Sequence, residues 1–424
     1  MATGSHSSTD ASRPAWVIYA QLTALYFVQG ASMAMWFVPL TSVLDAHGYQ
    51  GIKTFAYATS GVAAFISPLF FGALADRHAA PVIVLRGLAL ATSASMATAS
   101  FAIHQGAPPG VVLGLVLVHA LCSAPAWSLA ATVVFGGLRD ARRHFGPVRA
   151  VATLGWMAGC WLVSLIGADA STRAGYAGAV GWLGVAALSL LLPTATAPRL
   201  AGTVSWRQRF GLDALTLLKN RDHRVVFIAA ALFNIPLVGF YPYTPVHLRE
   251  LGIDHTTSWM SLGQVTEIFA MLALARLLLR WRLKWIFSIG LFLGVVRFTL
   301  CALDSRAGLL LGISLHGVSY TFVLITAQIY LEERIDPAWR ARAQALLALM
   351  IGGAGSLTGY LSSGWWFARS ATEAGANWPL FWNGLALGAG AVFAYFLIAY
   401  HGRGTPPART APGLSTGSGS GFRS

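Results

Sequence analysis

The chain has 424 residues, of which 56% are hydrophobic and only 10% are charged. Soluble domains carry about 25% charged residues, so this composition excludes an ordinary water-soluble fold. The net charge of +14 does not indicate nucleic-acid binding, because the basic residues are spread over many loops. There they would orient membrane helices and meet the anionic headgroups of the lipid bilayer.

Long apolar blocks follow one another along the chain, and each has close to the roughly 20 residues that a helix needs to cross a bilayer. The first set of six covers residues 16–40, 55–75, 81–103, 110–135, 145–168 and 174–194. The second set covers residues 225–246, 258–279, 285–303, 308–331, 343–367 and 378–400. The sequence therefore predicts an all-α membrane protein with twelve transmembrane helices.

A polar, basic stretch between the two sets divides the chain. We predict an N-terminal six-helix bundle over 16–198, a linker over 199–223 and a C-terminal six-helix bundle over 224–401. One alternating set of loops, together with both tails, holds most of the 29 Lys and Arg residues. Because short cytoplasmic loops retain basic residues, the linker and both termini are predicted to be cytoplasmic. The tails, 1–15 and 402–424, are predicted to be disordered.

The three cysteines, Cys122, Cys160 and Cys301, all fall inside apolar blocks, and no CxxC spacing occurs. This pattern predicts neither a disulfide framework nor a metal site. We expect no cofactor, and nothing in the sequence requires more than a monomer.

The turn between the second and third blocks reads GALADR over residues 72–77. It resembles the loop signature of the major facilitator superfamily, in which a glycine allows close helix approach and an Asp/Arg pair latches neighbouring helices. The resemblance implies a conformational latch at Gly72, Asp76 and Arg77, and two pseudosymmetric bundles. Residues 78–80 read HAA where the signature has Gly-Arg-Lys, and a chance match in a charged loop is the alternative.

One acidic residue, Glu267, lies well inside an apolar block, whereas the others lie in predicted loops, tails or block ends. A charged carboxylate in mid-membrane is costly, so such a residue usually marks a solute or proton pathway. Gln264 precedes it by three residues and shares its helix face. The alternative is a structural ion pair between Glu267 and Arg297 of the ninth block.

The fifth block places Arg149, Thr153 and Trp156 at i, i+4 and i+7, on one helix face. This face offers a cation, a hydroxyl and an aromatic plane, which suits a solute with a ring and polar edges. Equally, Arg149 could extend to the cytoplasmic interface while Trp156 serves packing.

His316 and Tyr320 lie one turn apart in the tenth block and face the same side. A histidine in a span can carry a proton near neutral pH, which makes His316 a candidate for proton coupling. A hydrogen-bonded structural histidine is the alternative.

Five different short segments follow one another from the fifth to the eleventh block. They read VRAVATLGW at 148–156, GQVTE at 263–267, GVVRF at 294–298, LHGVSY at 315–320 and AQA at 343–345. Together they resemble successive motifs of the nucleoside:proton symporter family of the major facilitator superfamily. The resemblance implies a multi-pass permease of the bacterial inner membrane that takes up nucleosides with protons by alternating access.

The resemblance also implies a solute site at Arg149, Thr153, Trp156, Gln264 and Glu267, with Trp156 where better-known members have Phe. Tyr320 is expected to join this site, and Glu267 and His316 are expected to serve proton coupling.

Three positions depart from the family pattern. Thr321 stands where the family commonly has an acid, the seventh block lacks the usual Gln and Asn arrangement over 233–243, and the fourth block has Ala131 and Thr132 in place of an Asn. A permease or exporter for another solute, such as an aromatic acid, sugar or drug, therefore stays open as an alternative. No HExxH motif occurs, and the GxSxG spacing at 413–417 lies in the tail outside the apolar blocks, so these motifs do not support a membrane enzyme.

Overall fold

The structure is a computed structural model that describes residues 14–77, 80–138, 141–193, 205, 207, 210–372 and 375–402. This part of the chain is almost entirely helical. The exception is one short hairpin, in which strand β1 (Ala371–Thr372) pairs antiparallel with β2 (Gly375–Ala376).

In the first half of the chain the helices are α1 (Ala15–Phe37), α2 (Leu40–Ala46), α3 (Lys53–Arg77), α4 (Pro81–His104), α5 (Pro109–Gly137), α6 (Ala141–Leu165) and α7 (Arg173–Leu190), with a 3-10 turn at Gln50–Ile52. A 3-10 helix, Leu212–Lys219, precedes the second half. There the helices are α8 (Arg221–Val238), α9 (Phe240–Glu250), α10 (Thr256–Met260), α11 (Leu262–Arg280), α12 (Leu283–Cys301), α13 (Arg306–Tyr320), α14 (Thr326–Arg334), α15 (Pro337–Ala348), α16 (Ser356–Arg369) and α17 (Trp378–Ala399).

Ten helical segments in the described part of the chain are long and apolar enough to cross a membrane by length and composition. Each coincides with one of the predicted apolar blocks. The second and sixth blocks are also helices, α3 and α7, but they are not among these ten. The all-helical fold with many apolar spans is thus confirmed, whereas the count of twelve spans stays a prediction.

The seventh block is broken at Gly239, where α8 ends and α9 begins. Pro236 and Pro242 flank this break, and proline lacks the backbone N–H that would continue the helical hydrogen bonds. Within a membrane, irregular backbone is tolerated where it is buried in protein or lines a cavity. The break places Tyr241 at the start of α9, beside the central cavity.

The tenth and eleventh blocks each contain a π-helical segment, Thr321–Ile325 and Leu349–Gly355. Asn234 on α8 packs against the second of them. Its side-chain Nδ2 donates hydrogen bonds to the carbonyl of Ile351 and to Oγ of Ser356, both at 3.0 Å. The amide thereby satisfies a carbonyl in an irregular stretch of backbone, where regular helical bonds are disrupted.

Buried apolar side chains form two large clusters. One is built from residues between 22 and 192 together with Val238 and Tyr360, and the other mainly from residues between 214 and 400. Glycine allows close contact between α6 and α1, because a Cβ atom on Gly155 of α6 would collide with the backbone of Phe27 on α1. The grouping of helices into two six-helix bundles stays a prediction.

Hydrogen bonds join the two parts of the chain at the end where α6 finishes and α10 begins. Oδ1 of Asp169 accepts a bond from the backbone N–H of Thr257 at 2.7 Å, and Oγ of Ser164 accepts one from the N–H of Ser258 at 3.0 Å. Both N–H groups lie in the first turn of α10, where no intrahelical carbonyl is available to them. We call Ser164 and Asp169 the trans cap, because they cap a helix from another part of the chain.

Several predicted features fall outside the described residues. The latch residues Gly72, Asp76 and Arg77 lie at the C-terminal end of α3, but the side chains of 68–77, and residues 78–79, are not described. Residues 1–13, 403–424 and most of 199–209 also lie outside the described part of the chain. Residues 210–223 of the predicted linker are described, and they contain the 3-10 helix Leu212–Lys219 and the start of α8.

Candidate functional site

A cavity of about 350 Å³ lies between helices from both halves of the chain. This volume falls in the range of roughly 300–1,000 Å³ that is typical of small-molecule sites. Its walls combine aromatic, amide and ionisable side chains. They are Met33, Phe37, Trp127, Arg149, Ala152, Thr153, Trp156, Asn234, Leu237, Val238, Tyr241, Gln264, Glu267, His316, Tyr320 and Tyr360.

Helix α6 contributes Arg149, Thr153 and Trp156 to one wall, as their helical spacing predicts. The Arg149 guanidinium does not extend away from the cavity. Its carbon Cζ lies 4.7 Å from the ring centroid of Trp127, within the range of a cation–π contact. The indole N–H of Trp156 is buried and has no hydrogen-bond partner among the described residues.

Helices α11 and α13 form the opposite wall, and two glycines bring them together. A Cβ atom on Gly317 would collide with the backbone of Gly263 and of Glu267, so the two helices touch at this level. This contact fixes the position of the Glu267 carboxyl beside the cavity. Within the described part of the chain Glu267 forms no ion pair, and Arg149 borders the same cavity.

Gln264 lies one turn before Glu267 and is almost fully buried. Its Nε2 donates a hydrogen bond of 3.3 Å to the hydroxyl of Tyr241. Its Oε1 has no partner among the described residues. One side of the amide is therefore held by the protein, while the other side retains a free acceptor.

His316 is held by Arg297, which lies outside the cavity wall. Nη1 of Arg297 is 2.7 Å from Nδ1 of His316, and the Arg297 side chain is fully buried between the rings of Phe240 and Phe298. The ring of His316 stacks on Phe240 with centroids 4.3 Å apart. The structure therefore does not support the alternative in which Arg297 pairs with Glu267, because Arg297 bonds a histidine instead.

An aromatic cluster borders the wall formed by α6. The ring of Phe37 lies 6.1 Å from that of Trp156 and 5.1 Å from that of Tyr241, and Trp156 and Tyr241 are 6.3 Å apart. The sequence analysis singled out only Trp156 of these three. The glycine and proline residues around Tyr241 were a usable signal for it, whereas Phe37 carries no mark that separates it from ordinary packing.

All seven residues predicted for solute binding or proton coupling line this one cavity, namely Arg149, Thr153, Trp156, Gln264, Glu267, His316 and Tyr320. Their individual roles stay predictions. Thr321, which stands where the family commonly has an acid, is fully buried in the π-helical segment and is not part of the cavity wall. The site thus offers one carboxyl, one guanidinium, an amide, an imidazole and several aromatic faces.

Comparison with known proteins identifies the family. The sequence profile of the nucleoside H+ symporter family matches residues 17–403 of this chain. Three similar proteins come from Escherichia coli K12. YegT, which bears the name of a nucleoside transporter, is 34% identical over 361 residues, covering 81% of this chain and 83% of YegT. Nucleoside permease NupG is 25% identical over 400 residues (89% and 94%), and the xanthosine permease is 24% identical over 388 residues (86% and 91%).

Solved structures agree on the fold. Two crystal structures of nucleoside transporter NupG, one of a point mutant, match with TM-scores of 0.83 and 0.80 at 24% and 23% identity. They cover 91% and 90% of this chain, and 100% and 99% of the NupG chains. Both the family and the named relatives are transporters, which excludes a membrane enzyme. The chain belongs to the nucleoside H+ symporter family of membrane transporters.

Proposed function

We propose that this protein imports nucleosides together with protons by alternating access. The observation that supports the proposal is the central cavity, which is shared by both halves and combines an aromatic wall with a wall of amide and carboxyl groups. In the proposed arrangement, the bundles 16–198 and 224–401 rock about this cavity, and the linker 199–223 and both termini are cytoplasmic. The protein would act as a monomer in the bacterial inner membrane.

The base of the nucleoside would lie against the aromatic cluster of α1, α6 and α9. Stacking on an aromatic side chain is tolerant of base identity, because every base has a π face. Trp156 is half-buried at the cavity, so part of this side chain is open to the solute. Arg149 and Thr153 on the same helix face would hydrogen-bond the polar edges.

The ribose would face α11. Its hydroxyl groups both donate and accept hydrogen bonds, so they complement the free Oε1 of Gln264 and the carboxyl of Glu267. Tyr320, on the neighbouring helix, completes this side of the cavity.

Glu267 is the residue that we propose to carry the coupling proton. Its carboxyl group borders the cavity, so a proton can reach it when the cavity opens to one side. A neighbouring cation favours the ionised form of a carboxyl group, and Arg149 borders the same cavity. A solute that engages Arg149 would change this balance, which gives a physical link between solute binding and protonation.

The role that we propose for His316 differs from the proton coupling that was predicted from the sequence. A guanidinium can only donate hydrogen bonds, so the Nδ1 atom facing Arg297 must be an acceptor. The imidazole is then neutral, with its proton on Nε2. We therefore assign His316 a hydrogen-bonding role toward the solute, and proton carriage to Glu267.

The trans cap would hold one of the two access states. Asp169 and Ser164 bind the first turn of α10 only while the two halves are together at this end. In the predicted topology this end is external. The structure would then correspond to a state closed to the outside, which must open there to admit solute.

Uptake into proteoliposomes tests the proposal. Purified protein would be reconstituted, and entry of radiolabelled adenosine and uridine measured with the outside acidic, with equal pH, and with a protonophore. We expect accumulation above the equilibrium level only with the acidic outside. Failure to take up either nucleoside would overturn the proposed solute class, and accumulation that the protonophore leaves unchanged would overturn proton coupling.

A further inference from the structure

A second cavity, of about 310 Å³, lies between α1, α3 and α5. We call it the side chamber. It shares Met33, Phe37 and Trp127 with the wall of the central cavity, so the two spaces adjoin across these residues. Its other wall residues are Trp36, Leu40, Ala56, Tyr57, Thr59, Ser60, Val116, His119, Ala120, Ser123 and Ala124.

Most polar groups of the side chamber are already engaged; the exception is Nδ1 of His119, which has no hydrogen-bond partner among the described residues. The Tyr57 hydroxyl donates to the carbonyl of Phe37 at 2.9 Å, and the hydroxyls of Thr59 and Ser60 donate to main-chain carbonyls of their own helix at 2.6 and 2.7 Å. His119 packs against the ring of Trp36 with centroids 5.2 Å apart. The wall residues include no Lys, Arg, Asp or Glu.

This chemistry does not suit a ribose or a phosphate, because burying their polar groups without partners is costly. It suits an apolar group. An engineered apolar cavity of about 150 Å³ binds benzene, so the side chamber is large enough for an aryl ring. Rings of Trp36, Phe37, Tyr57 and Trp127 offer it edge and face contacts.

The position of the shared wall residues indicates what such a group would be attached to. Phe37 borders both cavities and also belongs to the aromatic cluster with Trp156. A base stacked at that cluster would therefore have its edge near Phe37 and Trp127. The polar partners proposed for the ribose lie on the opposite wall, at Gln264 and Glu267.

From this arrangement we infer that the protein accepts nucleosides whose base carries an apolar substituent, and that the side chamber holds this substituent. The inference rests on the proposed nucleoside site in the central cavity. It assigns the residues of α3 and α5 that line only the side chamber to specificity for base-modified nucleosides.

Competition against radiolabelled adenosine uptake in proteoliposomes tests the inference, with N6-benzyladenosine as the probe. We expect the probe to compete with wild-type uptake at least as well as unlabelled adenosine does. Ala120→Leu fills the side chamber from α5 without touching the central cavity wall. Even one methylene in an apolar pocket changes discrimination between ligands by about 10- to 200-fold. In this variant the probe should therefore inhibit adenosine uptake about tenfold or more weakly than in wild type, while adenosine itself is still transported.

Two further variants make the result decisive. Ser123→Leu fills the same chamber from the next turn of α5 and should have the same effect as Ala120→Leu. If one of the two variants folds poorly, the other still provides the test. Val118→Leu adds bulk at an exposed position of the same helix and should behave like wild type.

Two outcomes would overturn the inference. In one, the probe fails to compete with adenosine uptake in wild type, as a chamber occupied by a lipid chain predicts. In the other, the probe competes in both chamber-filling variants as well as it does in wild type. Absence of adenosine uptake in wild type is a separate failure, because it rejects the proposed function itself.

Discussion

Nη1 of Arg297 lies 2.7 Å from Nδ1 of His316, and neither side chain is exposed by more than a few per cent. Because the guanidinium has no acceptor atom, the imidazole must accept at Nδ1 and carry its proton at Nε2. His316, which borders the cavity, is therefore neutral and retains one N–H donor at Nε2.

We expect His316→Gln to retain more adenosine uptake than His316→Asn. The Gln amide reaches the position of Nε2 and can donate there, whereas the shorter Asn amide reaches only the position of Nδ1. Initial uptake rates at several external pH values provide the measurement. The pH dependence of the Gln variant should match that of wild type, and a Gln variant that exchanges adenosine but no longer accumulates it would assign the proton to His316 instead.

Trp156 should contribute to nucleoside binding by stacking its ring on the base. Base–aromatic stacking contributes about 1–3 kcal/mol, so Trp156→Ala should raise the KM for uptake by about 5- to 150-fold. Trp156→Phe keeps an aromatic face and should stay close to wild type. If the Ala variant keeps the wild-type KM, the base does not stack on this ring.

Gly317 should matter for both stability and transport. A Cβ atom there meets the backbone of Gly263 and Glu267, and overpacking of a tight contact costs about 1–3 kcal/mol. Gly317→Ala should therefore lower the Tm of the purified protein and reduce uptake, since α11 must shift together with Glu267. Gly352→Ala is the matched control, because a Cβ atom there meets nothing within 4 Å; equal Tm changes for the two variants would contradict the close contact.

Removal of the trans cap should favour the state that is open at the α10 end. A lost helix cap costs about 0.5–2 kcal/mol, so Asp169→Ala should raise the open-to-closed ratio by about 2- to 30-fold. The readout is alkylation of a cysteine introduced at Thr153, in a variant without the native cysteines, by an impermeant maleimide added from that side. Asp254→Ala, at an exposed position of the neighbouring loop, should leave the rate unchanged, and an unchanged rate in Asp169→Ala would reject the gating role.

The sequence predicted one part of the site well because helical spacing is a local property. Arg149, Thr153 and Trp156 share a face by their i, i+4 and i+7 positions, and Gln264 and Glu267 share one by their i, i+3 positions. The rarity of charge in a membrane span then distinguished these faces from packing. Apolar blocks likewise predicted the helices, because bilayer thickness fixes their length.

Contacts between different helices could not be predicted in this way. The sequence offered Glu267 as the partner of Arg297, but the structure gives His316, since the choice depends on how α11, α12 and α13 are rotated against one another. Phe37 and Trp127 escaped notice for a related reason. An aromatic residue in an apolar block has the same pattern whether it borders a cavity or fills a core.

Glu267→Gln tests the central claim, which is that the Glu267 carboxyl couples proton movement to nucleoside transport. The amide keeps the size of the side chain and much of its hydrogen bonding, but it cannot take up or release the proton. Two assays on the purified variant in proteoliposomes, accumulation of adenosine driven by an acidic outside and counterflow exchange at equal pH, separate coupling from binding. We predict that exchange continues while pH-driven accumulation is lost; accumulation at the wild-type level would show that Glu267 is not the proton carrier.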